Sequence, residues 1–139
     1  TGVQTCALPI WGGPTEQILN AFGITKFVEP KNVREVEREE SIDLGVFKIK
    51  VIHAPGHTAG SAMFEIDSAY LISGDVLFKG AIGRTDMPSG SDSDMKKTLK
   101  NIVLPLSDEL IVLPGHGEQT TISRERKSNP YLQDEYLNS

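Results

Sequence analysis

The sequence is poor in cysteine, in histidine and in long hydrophobic runs. It holds one cysteine, Cys6, so no disulfide can form within the chain, and we expect a reducing, cytoplasmic location. No apolar run approaches the roughly 18 residues needed to span a bilayer, so no membrane partner is expected. The net charge of −5 disfavours a nucleic-acid surface, whose signature is clustered Lys and Arg.

The bulk composition predicts one globular domain. The chain has 139 residues, of which 38% are hydrophobic and 24% charged. The first ten residues, TGVQTCALPI, lack the basic start and the long apolar centre of a secretory signal, and they blend poorly with the sequence after residue 10. We interpret residues 1–10 as a leader that is not native to the domain, with a genuine strand as the alternative, and residues 11–139 as the domain itself.

Strands alternating with helices predict an α/β layer structure. The predicted strands are 46–53, 61–66, 68–72 and 109–113, the predicted helices are 15–22, 92–102 and 120–127, and 27–29 is extended before a proline. Residues 31–41 are expected to be a solvated connection or one helical turn, and 79–91 a long loop. In the first strand, Phe47 is expected to share an inward face with Ile49 and Val51. Helix 92–102 is expected to be capped by Asp92 or Ser93 and to bury an inner face made of Met95, Leu99, Ile102 and Val103.

Three apolar strands end at glycine-containing turns that each carry a candidate metal ligand. His57 follows Pro-Gly, Asp75 follows Ser-Gly and His116 follows Pro-Gly. Imidazole nitrogen and carboxylate oxygen suit zinc, iron or manganese in sites that activate water. A carboxylate can also bridge two cations that share a hydroxide, which then attacks a carbonyl at neutral pH. Each residue alone is weak evidence, because a single histidine after a turn is more often a hydrogen-bonded structural residue; the series supports the interpretation.

The series and its surroundings resemble the metallo-β-lactamase superfamily, and within it the glyoxalase II-like hydrolases. The matching segments are APGHTAGS at 54–61, LISGDVLF at 71–78, GAIGRTDMP at 80–88, LPGHGEQTTI at 113–122 and ERKSNPYL at 125–132. The resemblance implies an αββα sandwich of the α/β class. It also implies that His57 completes the site of a first metal, that Asp75 bridges both metals and takes part in catalysis, and that His116 binds the second. Two Zn²⁺ ions are expected per intact site, with Fe or Mn as alternatives.

One part of the family pattern is absent from this sequence. The remaining ligands in the family come from a HxHxDH motif, and the three histidines here are His53, His57 and His116. His53 lies within a predicted strand and is expected to be structural. We therefore interpret residues 11–139 as the C-terminal part of a metallo-β-lactamase-like domain, incomplete at its N-terminal side. Weak metal binding and little or no hydrolysis are expected from this chain alone.

The resemblance implies a small-molecule thioester substrate of the hydroxyacylglutathione type, attacked by a metal-bridging hydroxide. An iron-dependent persulfide dioxygenase of the same superfamily is one alternative, and a non-catalytic fragment or interaction module is another. A serine nucleophile is disfavoured, because neither Ser61 nor Ser73 has a base arranged beside it.

Charged residues outside the ligand series have two interpretations each. Asp86, with Arg84, either supports a ligand imidazole by a hydrogen bond or forms an ion pair that holds the loop. Arg124 and Lys127, with Arg126 between them, either bind an anionic thiol moiety such as glutathione or form a solvated helix face. The sequence leaves both choices open.

Overall fold

A computed structural model describes Gly23 and residues 39–139. The predicted helix 15–22, the extended segment 27–29 and the proposed leader 1–10 lie outside the described residues. In the part of the chain that is described, no helix is long and apolar enough to cross a membrane.

The described residues form a mixed sheet with helices. The strands are β1 (Ser41–Asp43), β2 (Lys48–His53), β3 (Ala62–Ile66), β4 (Tyr70–Gly74), β5 (Leu77–Phe78), β6 (Ala81–Ile82), β7 (Ile111–Pro114) and β8 (Thr120–Thr121). The helices are α1 (Asp92–Thr98), which continues as a π-helical turn over Leu99–Val103, α2 (Ile122–Ser128), a 3-10 turn (Pro130–Leu132) and α3 (Asp134–Leu137). The main sheet has the order β1-β2-β3-β4-β7-β8, and β5 and β6 form a separate hairpin.

Three strands of the main sheet run in the same direction. Both β2 and β4 are antiparallel to β3, which lies between them, and β7 is parallel to β4. Their carboxyl ends, at His53, Gly74 and Pro114, therefore lie along one edge of the sheet. The chain leaves each of these ends in a turn, and the three turns carry the three predicted ligands.

One face of the sheet packs against α1 and its π-helical continuation. Met63 and Leu71 on the strands are completely buried, as are Met95, Leu99 and Val103 on the helix, and Ile102 packs against this core. The predicted inner face of the helix is confirmed. The cap differs, because the side chain of Ser91, one residue earlier than predicted, accepts a hydrogen bond from the backbone N–H of Asp94 at 3.2 Å.

The second face of the sheet is also apolar. Residues paired across neighbouring strands lie on the same face, and the pairs on this face join isoleucine, valine, phenylalanine, tyrosine and leucine: Ile49 with Ile66, Val51 with Phe64, Ile66 with Tyr70, Phe64 with Ile72, Tyr70 with Ile111 and Ile72 with Leu113. Most of these side chains are only half-buried, and Tyr70 is 44% exposed. A sheet with two apolar faces is suited to be an inner layer covered on both sides.

The predicted strand 46–53 was wrong at its beginning. Leu44 donates its backbone N–H to the carbonyl of Phe47 at 2.9 Å, and Gly45 takes a positive φ of 79° within this turn. The turn connects β1 to β2, so Val46 and Phe47 lie in it and are exposed. Phe47 consequently does not belong to the inward face. The strand β1 also falls partly in the segment 31–41 that was expected to be a solvated connection.

The other predicted elements are confirmed with shifted ends. The hairpin that turns at 67–68 is confirmed, although its second strand runs on to Gly74. Strand 109–113 begins at Ile111, and the predicted helix 120–127 is α2, capped by Thr121 and followed by Asn129. It was predicted as the last helix, but α3 follows it. The predicted loop 79–91 contains β6, which was missed because a two-residue strand has no periodicity to detect.

A buried carboxylate joins α2 to the β5–β6 hairpin. Glu125 is fully buried, and its two oxygens accept hydrogen bonds from Thr120 Oγ1 (2.6 Å), Arg124 Nη1 (2.7 Å), Gly80 N–H (2.7 Å) and Asn129 Nδ2 (2.9 Å). Burial alone would raise the pKa of Glu125, but these hydrogen bonds outweigh it and leave the pKa below its usual range. The carboxylate is therefore held in its charged form.

The substitution Glu125→Gln should lower the free energy of unfolding by about 1–3 kcal/mol at pH 7, because an amide cannot accept all of these hydrogen bonds. Since the folded-state pKa is lowered, this difference should be fully present above the unfolded-state pKa of about 4.3 and should shrink as the pH falls through the folded-state value. Urea unfolding of both proteins over this range measures it. Glu109→Gln, at an exposed glutamate, is the matched control and should change stability by less than about 0.5 kcal/mol. If the difference in unfolding free energy between the two proteins grows as the pH falls, Glu125 is not held in its charged form in the folded protein.

Candidate metal centre

The turn that carries His57 is docked along the length of α1. The carbonyl of Pro55 accepts a hydrogen bond from Thr98 Oγ1 at 2.6 Å, and the carbonyl of Gly56 accepts one from the backbone N–H of Ser91 at 2.8 Å. Gly56 has a φ of +147°, and a Cβ at this position would lie 2.5 Å from the Cα of Met95. Glycine is therefore required for the close approach of turn and helix.

The polar residues around His57 stabilise the turn. Ser61 is buried, its hydroxyl lies 2.9 Å from Thr58 Oγ1, and it accepts the backbone N–H of Thr58 at 3.0 Å. Ser73 is also buried and donates to the carbonyl of Leu77 at 2.7 Å. Both hydroxyls serve backbone structure, which agrees with the expectation that neither serine is a nucleophile.

His57 is oriented by a main-chain carbonyl. Its Nδ1 lies 2.7 Å from the carbonyl oxygen of Arg84, which can only accept, so Nδ1 carries the proton in the neutral ring. The other nitrogen, Nε2, then presents its lone pair, and it lies 3.7 Å from Oδ2 of Asp75. The His57 side chain is only 12% exposed. This tautomer is the one required for a metal ligand that binds through Nε2.

His116 contacts the other oxygen of the same carboxylate. Its Nδ1 lies 2.7 Å from Asp75 Oδ1 and donates to it in the neutral ring, which again leaves the lone pair on Nε2. Its ring meets the ring of Phe78 edge-on, with centroids 6.0 Å apart. The His116 side chain is 77% exposed, so it forms the open side of the centre.

Asp75 is the residue that brings the predicted ligands together. Its two carboxylate oxygens face two different imidazoles, and its side chain is 18% exposed. Nitrogen and carboxylate donors of this kind fit a divalent metal. Among residues 39–139 and Gly23, however, no group of three or more His, Cys, Asp or Glu side chains is arranged to hold an ion. The described residues therefore provide a pair of contacts centred on one carboxylate and fall short of a full coordination shell.

Two glycines shape this centre: Gly115, which belongs to the predicted Pro-Gly turn before His116, and Gly83, which the sequence did not single out. A Cβ on Gly83 would lie 1.8 Å from the carbonyl oxygen of Asp75, and a Cβ on Gly115 would lie 2.6 Å from Asp75 Oδ1. Gly115 also donates its N–H to the carbonyl of Gly74 at 2.8 Å, which ties the His116 turn to the Asp75 turn. Both glycines lie in segments that resemble the family, and this resemblance was the available indication that they matter.

Arg84 and Asp86 form an ion pair with each other. Two hydrogen bonds of 2.6 and 2.7 Å join the Arg84 guanidinium to the Asp86 carboxylate, and both side chains are well exposed. The hydrogen bond and the charge of Arg84 lower the pKa of Asp86, and those of Asp86 raise the pKa of Arg84. Of the two interpretations offered by the sequence, the structure shows the loop ion pair, and the support for the imidazole comes from the backbone of Arg84.

The cations on α2 have different surroundings. Arg126 pairs with Asp108 and donates to the carbonyls of Leu104 and Leu106 at 2.7 and 2.6 Å, so it holds the segment after α1 and is not placed to bind a ligand. Arg124 is half exposed beside Glu125, and Lys127 is exposed. The structure does not bring either residue into contact with the three predicted ligands.

His53 has the structural role that was expected. Its Nε2 lies 2.9 Å from the carbonyl oxygen of Ala59, across the turn that contains His57. The residue stabilises that turn from the end of β2.

The substitution Gly83→Ala should displace the Asp75 backbone, because the new Cβ would overlap its carbonyl oxygen. We expect NMR signals of the His57 and His116 rings to shift. Gly45→Ala is the control: it has a positive φ but meets nothing within 4 Å, so it should cost about 1–2 kcal/mol of stability and leave both rings unchanged. Equal ring signals in Gly83→Ala and the unsubstituted protein would rule out this role for Gly83.

Comparison with known proteins identifies the family. The sequence profile of the metallo-beta-lactamase superfamily matches residues 7–116. An uncharacterized protein of Mycobacterium tuberculosis is 42% identical over 135 residues, which is 90% of this chain and 58% of that protein.

Two further similarities bear on chemistry. The hydroxyacylglutathione hydrolase GloC of Haemophilus influenzae is 43% identical over 94 residues, or 67% of this chain and 44% of that protein. The solved structure of TTHA1623, in a di-iron-bound form, matches with a TM-score of 0.68 and 36% identity over 81% of this chain and 55% of the other. The chain thus spans about half the length of these relatives. The expected α/β fold of this family is confirmed, and the chain belongs to the metallo-β-lactamase superfamily.

Proposed function

We propose that the protein is a metal-dependent hydrolase acting on a small thioester of the hydroxyacylglutathione type. The observation that supports this most strongly is the placement of Asp75, whose two carboxylate oxygens face the imidazoles of His57 and His116. The similarity to a hydroxyacylglutathione hydrolase supports the thioester class. This chain would supply half of the ligands, and a HxHxDH motif would supply the others.

Each of the three residues has a distinct part in the proposed centre. His57 and Asp75 would hold the first metal, and Asp75 and His116 the second, with Asp75 shared between them. When bound, the metals supply Lewis acidity and activate water for attack on a thioester carbonyl. The carbonyl of Arg84 fixes the tautomer of His57, so its Nε2 is free to bind a metal. His116 points Nδ1 at Asp75, so it would give up this hydrogen bond when both residues bind the second metal.

Zinc is the proposed metal, and iron is the principal alternative. His and Asp donors accept zinc, iron and manganese, so selection depends on availability and geometry as well as on ligand type. The similar structure in a di-iron-bound form favours testing iron. With iron, the persulfide dioxygenase becomes the competing activity, and consumption of oxygen separates it from hydrolysis.

Arg124 and Lys127 are the proposed contacts for an anionic group of the substrate, such as a carboxylate of glutathione. Both are cationic residues of α2, and both reach solvent. The Arg124 guanidinium donates a hydrogen bond through Nη1 to the buried carboxylate of Glu125. This bond fixes the position of the guanidinium, and about half of the side chain remains exposed.

We further propose a cytoplasmic location.

Metal binding can be tested with matched histidine substitutions. We expect the 139-residue chain to retain clearly fewer than two zinc ions after dialysis, because hydrolytic zinc sites generally have three protein ligands each. The substitutions His57→Gln and His116→Gln should reduce zinc further, whereas His53→Gln, which keeps a side-chain donor for the Ala59 carbonyl, should not. Elemental mass spectrometry gives the stoichiometry. Two retained ions per chain, or equal zinc in all three variants, would contradict the proposed ligand set.

Hydrolysis can be tested after the missing motif is supplied. A chimera with a HxHxDH-bearing N-terminal half placed before residue 11 should hydrolyse a hydroxyacylglutathione thioester in the presence of zinc. Asp75→Asn should reduce kcat by at least about 100-fold, since the bridging carboxylate is lost. A chimera that binds two metals but releases no thiol would refute the thioester activity, and the non-catalytic interpretation would then be favoured.

A further inference from the structure

His116 is the most exposed of the proposed ligands, and within the described part of the chain two contacts hold its ring. One is the hydrogen bond to Asp75 Oδ1 and the other is the edge-on contact with Phe78. The imidazole is 77% exposed, so packing from the protein core does not orient it. The position of Phe78 is therefore important for the position of His116.

Phe78 lies on a hairpin that is too short to be rigid alone. The strands β5 and β6 contain two residues each, and an isolated two-stranded hairpin is at best marginally stable in water. The hairpin must be held by contacts from elsewhere in the fold.

Those contacts come from α2 and the residue that follows it. Glu125 Oε2 accepts the N–H of Gly80 in the hairpin turn at 2.7 Å. Asn129 Nδ2 donates to the carbonyl of Ala81 at 3.1 Å and lies 3.4 Å from that of Phe78, on the two strands. A third hydrogen bond, of 2.9 Å, joins Glu125 to Asn129. Every segment of the hairpin is thus tied to this pair.

The pair is fixed by its own surroundings. Glu125 and Asn129 are both fully buried. Thr120 and Arg124 donate to the second carboxylate oxygen of Glu125. Asn129 accepts the backbone N–H of Tyr131 at 3.0 Å. Neither side chain can move without losing several buried hydrogen bonds, each costly to leave unmade.

A second connection between the hairpin and the His116 turn lies at the surface. Lys79 forms an ion pair with Glu118, two residues after His116, and this pair lowers the pKa of Glu118 through the hydrogen bond and charge of Lys79. Exposed ion pairs of this type contribute little energy. The buried contacts are the stronger restraint.

We propose that Glu125 and Asn129 are positioning residues for His116: they hold the β5–β6 hairpin so that Phe78 keeps the imidazole against Asp75. Neither residue touches a metal ligand directly, and their effect is transmitted through the hairpin. This proposal rests on the proposed function only in treating His116 as a metal ligand.

The ring signals of His116 in the metal-free chain provide the first test. Phe78→Leu removes the aromatic ring, so the chemical shift of the His116 ring in this variant is the reference value for an imidazole without that contact. We expect Glu125→Gln to move the His116 signal at least halfway toward that value, with His53 unchanged. In the Phe78→Leu background, Glu125→Gln should cause little further change, because both substitutions act on one contact.

Loss of stability alone must be distinguished from loss of positioning. Val103→Ala removes buried core volume in the π-helical turn and should lower stability while leaving His116 unshifted. If Glu125→Gln does not fold, Asn129→Ala takes its place in the same comparison, because it removes the ties to the hairpin carbonyls and keeps the carboxylate. A folded Glu125→Gln or Asn129→Ala with a wild-type His116 signal overturns the proposal, as does a Phe78→Leu protein in which His116 does not shift.

Zinc affinity provides the second test. Substitutions of residues that orient a ligand typically weaken metal binding by about 10-fold or more, and Glu125→Gln should do so, with Val103→Ala as the control. Unchanged zinc affinity in a folded Glu125→Gln protein counts against the proposal. If the unsubstituted chain binds no measurable zinc, which agrees with its partial ligand set, the ring signals decide the positioning role and the HxHxDH-bearing chimera decides the proposed function.

Discussion

The contact of one carboxylate with two imidazoles is the constraint around which the described structure is arranged. Asp75 faces His57 through one oxygen and His116 through the other. The three residues can meet because β2, β4 and β7 run in the same direction and end along one edge of the sheet. Their backbones approach closely because glycine occupies positions 83 and 115, where any Cβ would strike Asp75. Loss of either glycine would therefore disturb the centre without removing a ligand.

The supports of the centre come from both sides of the Asp75 turn. On one side, α1 holds the His57 turn through the carbonyls of Pro55 and Gly56. On the other side, α2 holds the β5–β6 hairpin through the buried carboxylate of Glu125. The main sheet lies behind both and has two apolar faces, one covered by α1 and one only half covered in the described residues. An inner layer of this kind agrees with the αββα sandwich of the family and with the finding that the chain spans about half of its relatives.

The sequence predicted the features that depend on local patterns. Alternating apolar residues predicted the central strands, and the spacing of Met95, Leu99 and Val103 predicted the inner face of a helix, which the structure confirms. The order of His57, Asp75 and His116 predicted which residues meet. The sequence did not predict that Phe47 lies in an exposed turn, since turn and strand compete for the same apolar residues there. It also missed Glu125, because a buried carboxylate looks like any surface charge until its donors, which come from distant segments, are placed around it.

The central claim is that His57 and His116 act together, with Asp75, in one metal centre. The most direct test is to follow the side-chain nitrogen signals of all three histidines by NMR while Zn²⁺ is added to the chain. The structure places the lone pairs of His57 and His116 on Nε2, so these two nitrogens should shift together along one titration while those of His53 stay in place. A titration in which neither Nε2 responds, or in which His53 responds first, would contradict the account.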